Sequence, residues 1–264
     1  IRREALTKID FSLEVDSIFH LFHPHMRLYG HFLIEGLYKL FLYADLTDKF
    51  TDIPPLYLNE SSPNFIKNWV NELVAPKYIY SVKENQNVKA NQVLDFKFHN
   101  NYIWSNRVRN LIYSYGLNVG GSRDIQKYKK IFISRRNVNS LTSFRHLSNE
   151  KALESIAIEN GYQVISPEKL ELKEQVTLFN NAEYIVGEYG SALHNAIFSR
   201  PNTSFLCFNH INTVQQSLAK NFGHRLIFMM PENGISLNER STEGKGVVEY
   251  HISEDLFRKT IGII

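Results

Sequence analysis

The sequence predicts an α/β protein built on parallel sheets covered by helices, arranged in two domains. From Tyr128 onward, short apolar runs alternate with helical patterns at the spacing of βαβ units. The 264 residues, 43% of them hydrophobic, suit two domains that can each bury a core. The stretch GLNVGGSRDIQ, with three glycines and few apolar neighbours, reads as a linker dividing residues 1–118 from residues 119–264.

In the first domain, GHFLIEGLYKLFLYADL places Phe32, Leu33, Leu37, Leu40, Phe41 and Tyr43 at helical spacing, and PPLYL follows as a strand. Pro63 opens the helix PNFIKNWVNEL; KYIYSV and QVLDFKF are strands, and NRVRNLIYSYG is a helix. In the second domain the strand KIFIS leads through a polar loop to the helix NEKALESIAIENG, stopped by Gly161. The order continues as strand YQVIS, helix KEQVTLFNNA, strand EYIVG, and the short helix SALHNAIFS ended by Pro201. Strand TSFLCF, helix VQQSLAKNFG, strands RLIFMM and VVEYHI, and helix SEDLFRKTIG complete the chain.

Composition excludes several classes. A net charge of +3 with pI near 8.8 gives no basic excess of the kind that binds nucleic acid. The single cysteine, Cys207, rules out an internal disulfide and a cysteine-rich zinc site, and within TSFLCF it reads as a small buried apolar residue. No apolar run approaches the roughly 18 to 20 residues that span a bilayer, and no signal pattern opens the chain. The first residue is Ile1 rather than Met, as in a trimmed piece, so a preceding anchor or domain stays open. No GxGxxG follows the first strand, against a dinucleotide oxidoreductase or a nucleotide-sugar epimerase.

Ligands of open parallel sheets bind outside the carboxyl ends of the strands, where strand order reverses. Three such ends carry chemistry: Ser134, Arg135 and Arg136; then Glu188, Tyr189, Gly190 and Ser191; then Asn209 and His210. Two arginines facing a glycine-containing turn that opens a helix suit a diphosphate. The helix start points free N–H groups and the positive dipole end outward. Both arginines are expected at the strand tip, outside the core. Against this, Gly187 and Gly190 can serve only to shape a turn, the arginines can be solvated, and Asn149 and Glu150 can be a helix cap and a first-turn acid. In the first domain His31 and Glu35 share a helix face at i, i+4, so the carboxylate can orient the imidazole; a solvent-facing histidine with a helical partner is the alternative. The histidines of HLFHPHM lack a carboxylate or cysteine that would complete a metal site.

The stretch from ISRRNV to SALHNAIF resembles glycosyltransferase family 61, which includes bacterial capsular-polysaccharide proteins and eukaryotic protein O-glycosyltransferases. Ser134, Arg135, Arg136, Arg145, Asn149, Glu150, Gln175, Gly187, Gly190, Ser191, Leu193, Asn195 and Phe198 fall on the family pattern in order. HFLIEGLYKL resembles the family's earlier helix, with His31 and Glu35 in register. Where the family usually has a histidine in the glycine turn, this chain has Tyr189, a neutral hydrogen-bond donor.

The resemblance implies two Rossmann-like domains of the GT-B type facing a central cleft, and an inverting, metal-independent transfer from a nucleotide sugar, UDP-linked, to a glycan acceptor. It implies no cofactor beyond that co-substrate. His31 and Glu35 would be catalytic. Ser134, Arg135, Arg136, Arg145, Asn149, Glu150, Tyr189, Gly190, Ser191 and Asn195 would bind the donor. The acceptor would be an oligosaccharide or a lipid-linked glycan of capsule or surface polysaccharide synthesis. The setting would be cytoplasmic, peripheral to the inner membrane and its assembly machinery. A catalytically silent module that binds a nucleotide sugar or glycan is the alternative, marked by Tyr189.

Overall fold

The structure, a computed structural model, describes residues 13–21, 24–84, 86–96, 102–121, 129–137, 145–209, 211–232 and 248–264. The chain forms two compact units, Ile1–His99 and Asn100–Ile264.

The N-terminal unit holds a parallel sheet of β1 (Leu13–Phe19), β2 (Leu56–Asn59), β3 (Ile79–Val82) and β4 (Val88–Leu94), in the order β3-β2-β1-β4. β1 is a strand that sequence patterning missed: LEVDSIF puts Glu14 and Asp16 on exposed positions and buries only Phe19 fully, so it lacks an apolar run. β4 begins earlier than the expected QVLDFKF, whose last two residues lie outside the described residues. The long helix of this unit runs as Tyr29–His31, a π-helical turn Phe32–Gly36, and Leu37–Thr47. A Cβ on Gly36 would lie 2.9 Å from both Met26 Sδ and the Phe32 ring, so glycine lets the turn pack there. The helix Asn64–Leu73 buries Ile66, Trp69 and Val70, with Trp69 against Phe41.

The C-terminal unit contains β5 (Lys130–Ile133), β6 (Arg145–Leu147), β7 (Gln163–Ile165), β8 (Tyr184–Glu188), β9 (Ser204–Phe208), β10 (Arg225–Met229) and β11 (Val248–Tyr250). Five of them form a parallel sheet in the order β10-β9-β8-β5-β7, so strand order reverses between β5 and β8. β11, expected from VVEYHI, is a strand but pairs with β6 and not with the main sheet. Phe132, Val186, Leu206 and Phe208 of the sheet pack with Leu153, Ile156, Phe257 and Ile261 in one buried cluster. Such side chains contribute roughly 1.5 to 3 kcal/mol each. Cys207 is buried within β9, as expected of an apolar residue.

The expected linker begins inside a helix. Asn106–Gly120 is helical, capped by Ser105, whose side chain accepts from Val108 N–H. Gly116 and Gly120 lie one turn apart against Asn180, where a Cβ at Gly120 would come within 2.6 Å of the Asn180 Oδ1. Asn181 Nδ2 donates to Gly120 O at 2.8 Å, tying this helix to Leu172–Asn181. These glycines allow close helix approach rather than chain freedom, which assigns the helix to the C-terminal unit. Residues 122–126 of the expected linker lie outside the described residues.

Candidate active site

β5 is apolar and buried through Ile133, and Ser134 N–H continues the sheet pairing by donating to Ile165 O at 2.8 Å. The chain then turns over the first turn of the helix Glu150–Glu159. Glu150 and Glu154 stand at i, i+4 and therefore share one face of that helix. The Ser134 hydroxyl lies 2.6 Å from Glu154 Oε1 and 3.3 Å from Glu150 Oε1, so its single proton goes to the nearer oxygen. Glu150 Oε1 accepts from the Arg135 backbone N–H at 2.6 Å.

The arginines divide. Arg136 Nη1 meets Glu154 Oε2 at 2.9 Å, with the Arg136 side chain 54% exposed, as expected at a strand tip. Arg135 departs from that expectation: its side chain is 16% exposed and its Nε lies 3.3 Å from Oε2 of Glu188, which is 2% exposed. The reason is register. β5 and β8 are hydrogen-bonded neighbours with Ile133 opposite Gly187, so the residues that follow on each strand meet. Two guanidinium groups and three buried carboxylates thus form one network at the reversal point. Burial pushes the Glu150 carboxyl above the ordinary carboxylate range and the charges of Glu154 and Glu188 push the same way, against the hydrogen bond from Arg135 N–H. The roles of Glu154 and Glu188 as counter-ions were not read from sequence. The signal for Glu154 was its helical spacing from Glu150; Glu188 needed the β5–β8 register.

The glycine turn follows β8. Gly187 is required by close packing, since a Cβ there would lie 3.0 Å from Ile133 Cβ. Gly190 is extended, with φ 166° and ψ 179°, and opens Ser191–Phe198, which is 3-10 helical throughout rather than α-helical. A helix start leaves its first N–H groups without intrahelical partners, here beside exposed Ser191. The Tyr189 ring sits 6.0 Å from that of buried His194.

Other expected donor residues hold the scaffold. Asn149 precedes the helix Glu150–Glu159 but does not cap it with its side chain; its Nδ2 donates to Ile252 O at 2.8 Å and its Oδ1 accepts from Ile252 N–H at 3.3 Å. Asn195 donates to Gln175 Oε1 at 3.2 Å and to Ala192 O at 3.1 Å, fastening the 3-10 helix to Leu172–Asn181. Arg145 lies in β6, with its side chain outside the described residues, as is His210.

In the N-terminal unit, His31 Nδ1 lies 3.0 Å from Glu35 Oε1, the i, i+4 pair that the sequence suggests. The π-helical turn begins directly after His31 and contains Glu35, a feature common at functional sites. The His25 ring meets the His31 ring edge-on at 5.5 Å. Farther along the same helix Lys39 Nζ donates to Asp95 Oδ1 at 2.5 Å, and His20 Nδ1 lies 3.3 Å from Asp95 Oδ2. Between the two pairs, the Tyr38 hydroxyl donates to Phe96 O at 2.9 Å. Burial pushes this phenol up, and Asp95 and Glu35 add to the shift, so both carboxylates lie near it. His20, Lys39 and Asp95 escaped sequence reading because 75 residues separate His20 from Asp95. Among the described residues, no three His, Cys, Asp or Glu side chains are grouped to hold a metal ion, and His23 lies outside them. Nor, among those residues, is any helix long and apolar enough to cross a membrane.

A family model described as Glycosyltransferase 61 matches residues 29–206. That span holds the His31–Glu35 pair, the Ser134–Arg135–Arg136 turn and the Tyr189–Ser191 turn. No curated protein matches the chain. With about two thirds of its length matched, including both histidine-bearing and arginine-bearing sites, the chain belongs to glycosyltransferase family 61.

Proposed function

We propose that the chain is an inverting, metal-independent glycosyltransferase of the GT-B type, moving a sugar from a UDP-linked donor to a glycan acceptor. Glycosyl transfer follows from the family. The observation that supports the finer reading is the arginine pair at the end of β5, beside the turn after β8, at the reversal point of the sheet. A guanidinium has five N–H donors, so Arg136 can keep its bond to Glu154 and turn others to a phosphate oxygen. Each charge-assisted bond is worth about 1.5 to 3 kcal/mol, more than the roughly 0.3 to 1 kcal/mol of a helix dipole. Arginine charge would do what a divalent ion otherwise does, and no Asp-x-Asp triplet occurs in the chain to hold one.

In this reading an acceptor hydroxyl oxygen attacks the anomeric carbon while the bond from that carbon to the donor phosphate oxygen breaks on the opposite face. The hydroxyl proton passes to His31 Nε2, and the departing diphosphate keeps the electron pair, stabilised by Arg135, Arg136 and the N–H groups at Ser191. Glu35 orients the imidazole through Nδ1 and stabilises the imidazolium. Tyr189 offers a neutral phenol where the family usually has histidine. Asn149, Glu150 and Asn195 shape the donor site through the bonds they make to Ile252, Arg135 and Gln175. The setting we favour is bacterial capsule or surface polysaccharide synthesis, with an oligosaccharide or lipid-linked acceptor at the cytoplasmic side of the membrane.

The test is a panel of nucleotide sugars with glycan acceptors in the presence of a chelator. The expected result is release of UDP coupled to acceptor modification. Binding of UDP without transfer would favour the silent module, and failure to bind any nucleoside diphosphate would overturn the donor assignment.

A further inference from the structure

The carboxyl edge of the N-terminal sheet carries a second histidine–carboxylate pair that the reaction above does not use. β1 and β4 run side by side from Leu13 opposite Val88 to Phe19 opposite Leu94, and His20 N–H extends the pairing by donating to Leu94 O at 2.8 Å. His20 and Asp95 therefore leave the sheet together from neighbouring strands. That edge is where the order β3-β2-β1-β4 reverses, between β1 and β4. It is the position at which open parallel sheets take their ligands. The pair is also accessible, with the His20 and Asp95 side chains 47% and 41% exposed.

Its electrostatics differ from those of His31 and Glu35. Asp95 shares its charge between His20 at 3.3 Å and buried Lys39 at 2.5 Å. Burial alone would raise the Asp95 carboxyl, but hydrogen bonds and charge from Lys39 and His20 outweigh it and hold the group below its ordinary range. Asp95 is thus a carboxylate whose charge Lys39 already balances. It can orient the imidazole by accepting from Nδ1–H, which presents Nε2 outward, but it has less charge to give to an imidazolium than Glu35 has. Among the described residues, Lys39 and Asp95 cancel and Glu35 lies near the same Tyr38 hydroxyl, which leaves these groups no cationic excess for a phosphate. A neutral hydroxylated ligand suits it.

We propose that His20, oriented by Asp95, binds the glycan acceptor by accepting a hydrogen bond at Nε2 from a sugar hydroxyl other than the one that attacks; this rests on the glycosyl-transfer reading. His20 then sets acceptor affinity, while His31 takes the proton.

The experiment uses the full chain, UDP-sugar donors, and a panel of methyl hexosides and methyl pentosides as minimal acceptors. Transfer by the unaltered chain is measured first, so its absence overturns the transfer reading before any substitution is made. With the best acceptor, His20→Ala should raise the acceptor KM by about 3- to 10-fold, the loss of one neutral hydrogen bond. The kcat and the calorimetric affinity for UDP should be unchanged. His20→Gln, which keeps a polar group at that position, should recover part of the loss. A fall in kcat at constant acceptor KM would make His20 a proton acceptor and overturn the proposal. So would an unchanged KM, or a parallel loss of UDP affinity and thermal stability.

Discussion

At the reversal point of the C-terminal sheet, two guanidinium groups are held by carboxylates that are almost wholly buried. At the reversal point of the N-terminal sheet, an imidazole and its carboxylate stand half in solvent. Both sites stand where parallel sheets place ligands, and both pair a nitrogen base with an acid. The difference lies in whether the cation can lose its charge. Arginine remains protonated throughout the physiological range, so the C-terminal network can only rearrange its partners around an incoming anion. A neutral imidazole has one ring nitrogen that accepts, so the N-terminal pairs can meet an uncharged hydroxyl. In the proposed reading, one fold class provides a place to hold a diphosphate and a place to bind an uncharged hydroxyl by changing residues at strand tips.

The largest expected effect tests the proton side. His31→Ala should lower turnover by about 10² to 10⁴-fold with donor affinity little changed, because a general base acts in the transition state. Glu35→Gln should do less, since Gln removes charge but still occupies the contact at 3.0 Å. Near-normal turnover in a folded His31→Ala protein would move the base elsewhere.

The next effect tests burial on the anion side. Arg135→Ala leaves Glu188 buried without its guanidinium partner and should cost about 3 kcal/mol in denaturant unfolding, as broken buried pairs do. Arg135→Ala combined with Glu188→Gln should recover most of that loss. If the single substitution is silent, the two side chains are not coupled in solution.

A smaller effect tests the network's surplus acid. A carboxyl raised above its unfolded value, as Glu150 is, adds stability fully below the ordinary carboxylate range and loses it as pH rises through the folded value. Glu150→Gln should therefore raise the melting temperature at pH 7 and flatten the fall of stability with rising pH above the ordinary carboxylate range. An Oε1 acceptor for the Arg135 N–H would remain. A lower melting temperature at pH 7 would show that the carboxylate's bonds outweigh its burial.

Much of the C-terminal sheet was legible because its strands are unbroken apolar runs, as in KIFI and SFLCF, whose register in a parallel sheet needs no alternation. β1 was not legible, because a strand with charges at Glu14 and Asp16 imitates a loop. Glycine carried opposite meanings: Gly116 and Gly120 look like a linker in sequence yet permit the close approach of Asn180. The arginines, His31 and Glu35 could be named because a strand tip and an i, i+4 spacing are local. Their partners could not. Glu188, Asp95 and Ile252 reach Arg135, His20 and Asn149 through sheet register and packing, over 75 residues for His20–Asp95 and 103 for Asn149–Ile252.

The central claim, that arginine charge at the end of β5 holds a nucleoside diphosphate without a metal, is tested most directly by titrating UDP calorimetrically in a chelator. Arg136→Ala is the sharpest comparison, because this side chain is half-exposed and its loss should leave the fold intact. The account predicts that the unaltered chain binds UDP under these conditions and that Arg136→Ala weakens binding by roughly 10- to 150-fold in a protein that remains folded. UDP binding that vanishes in the chelator and returns with manganese, or equal affinity in the two proteins, would contradict it.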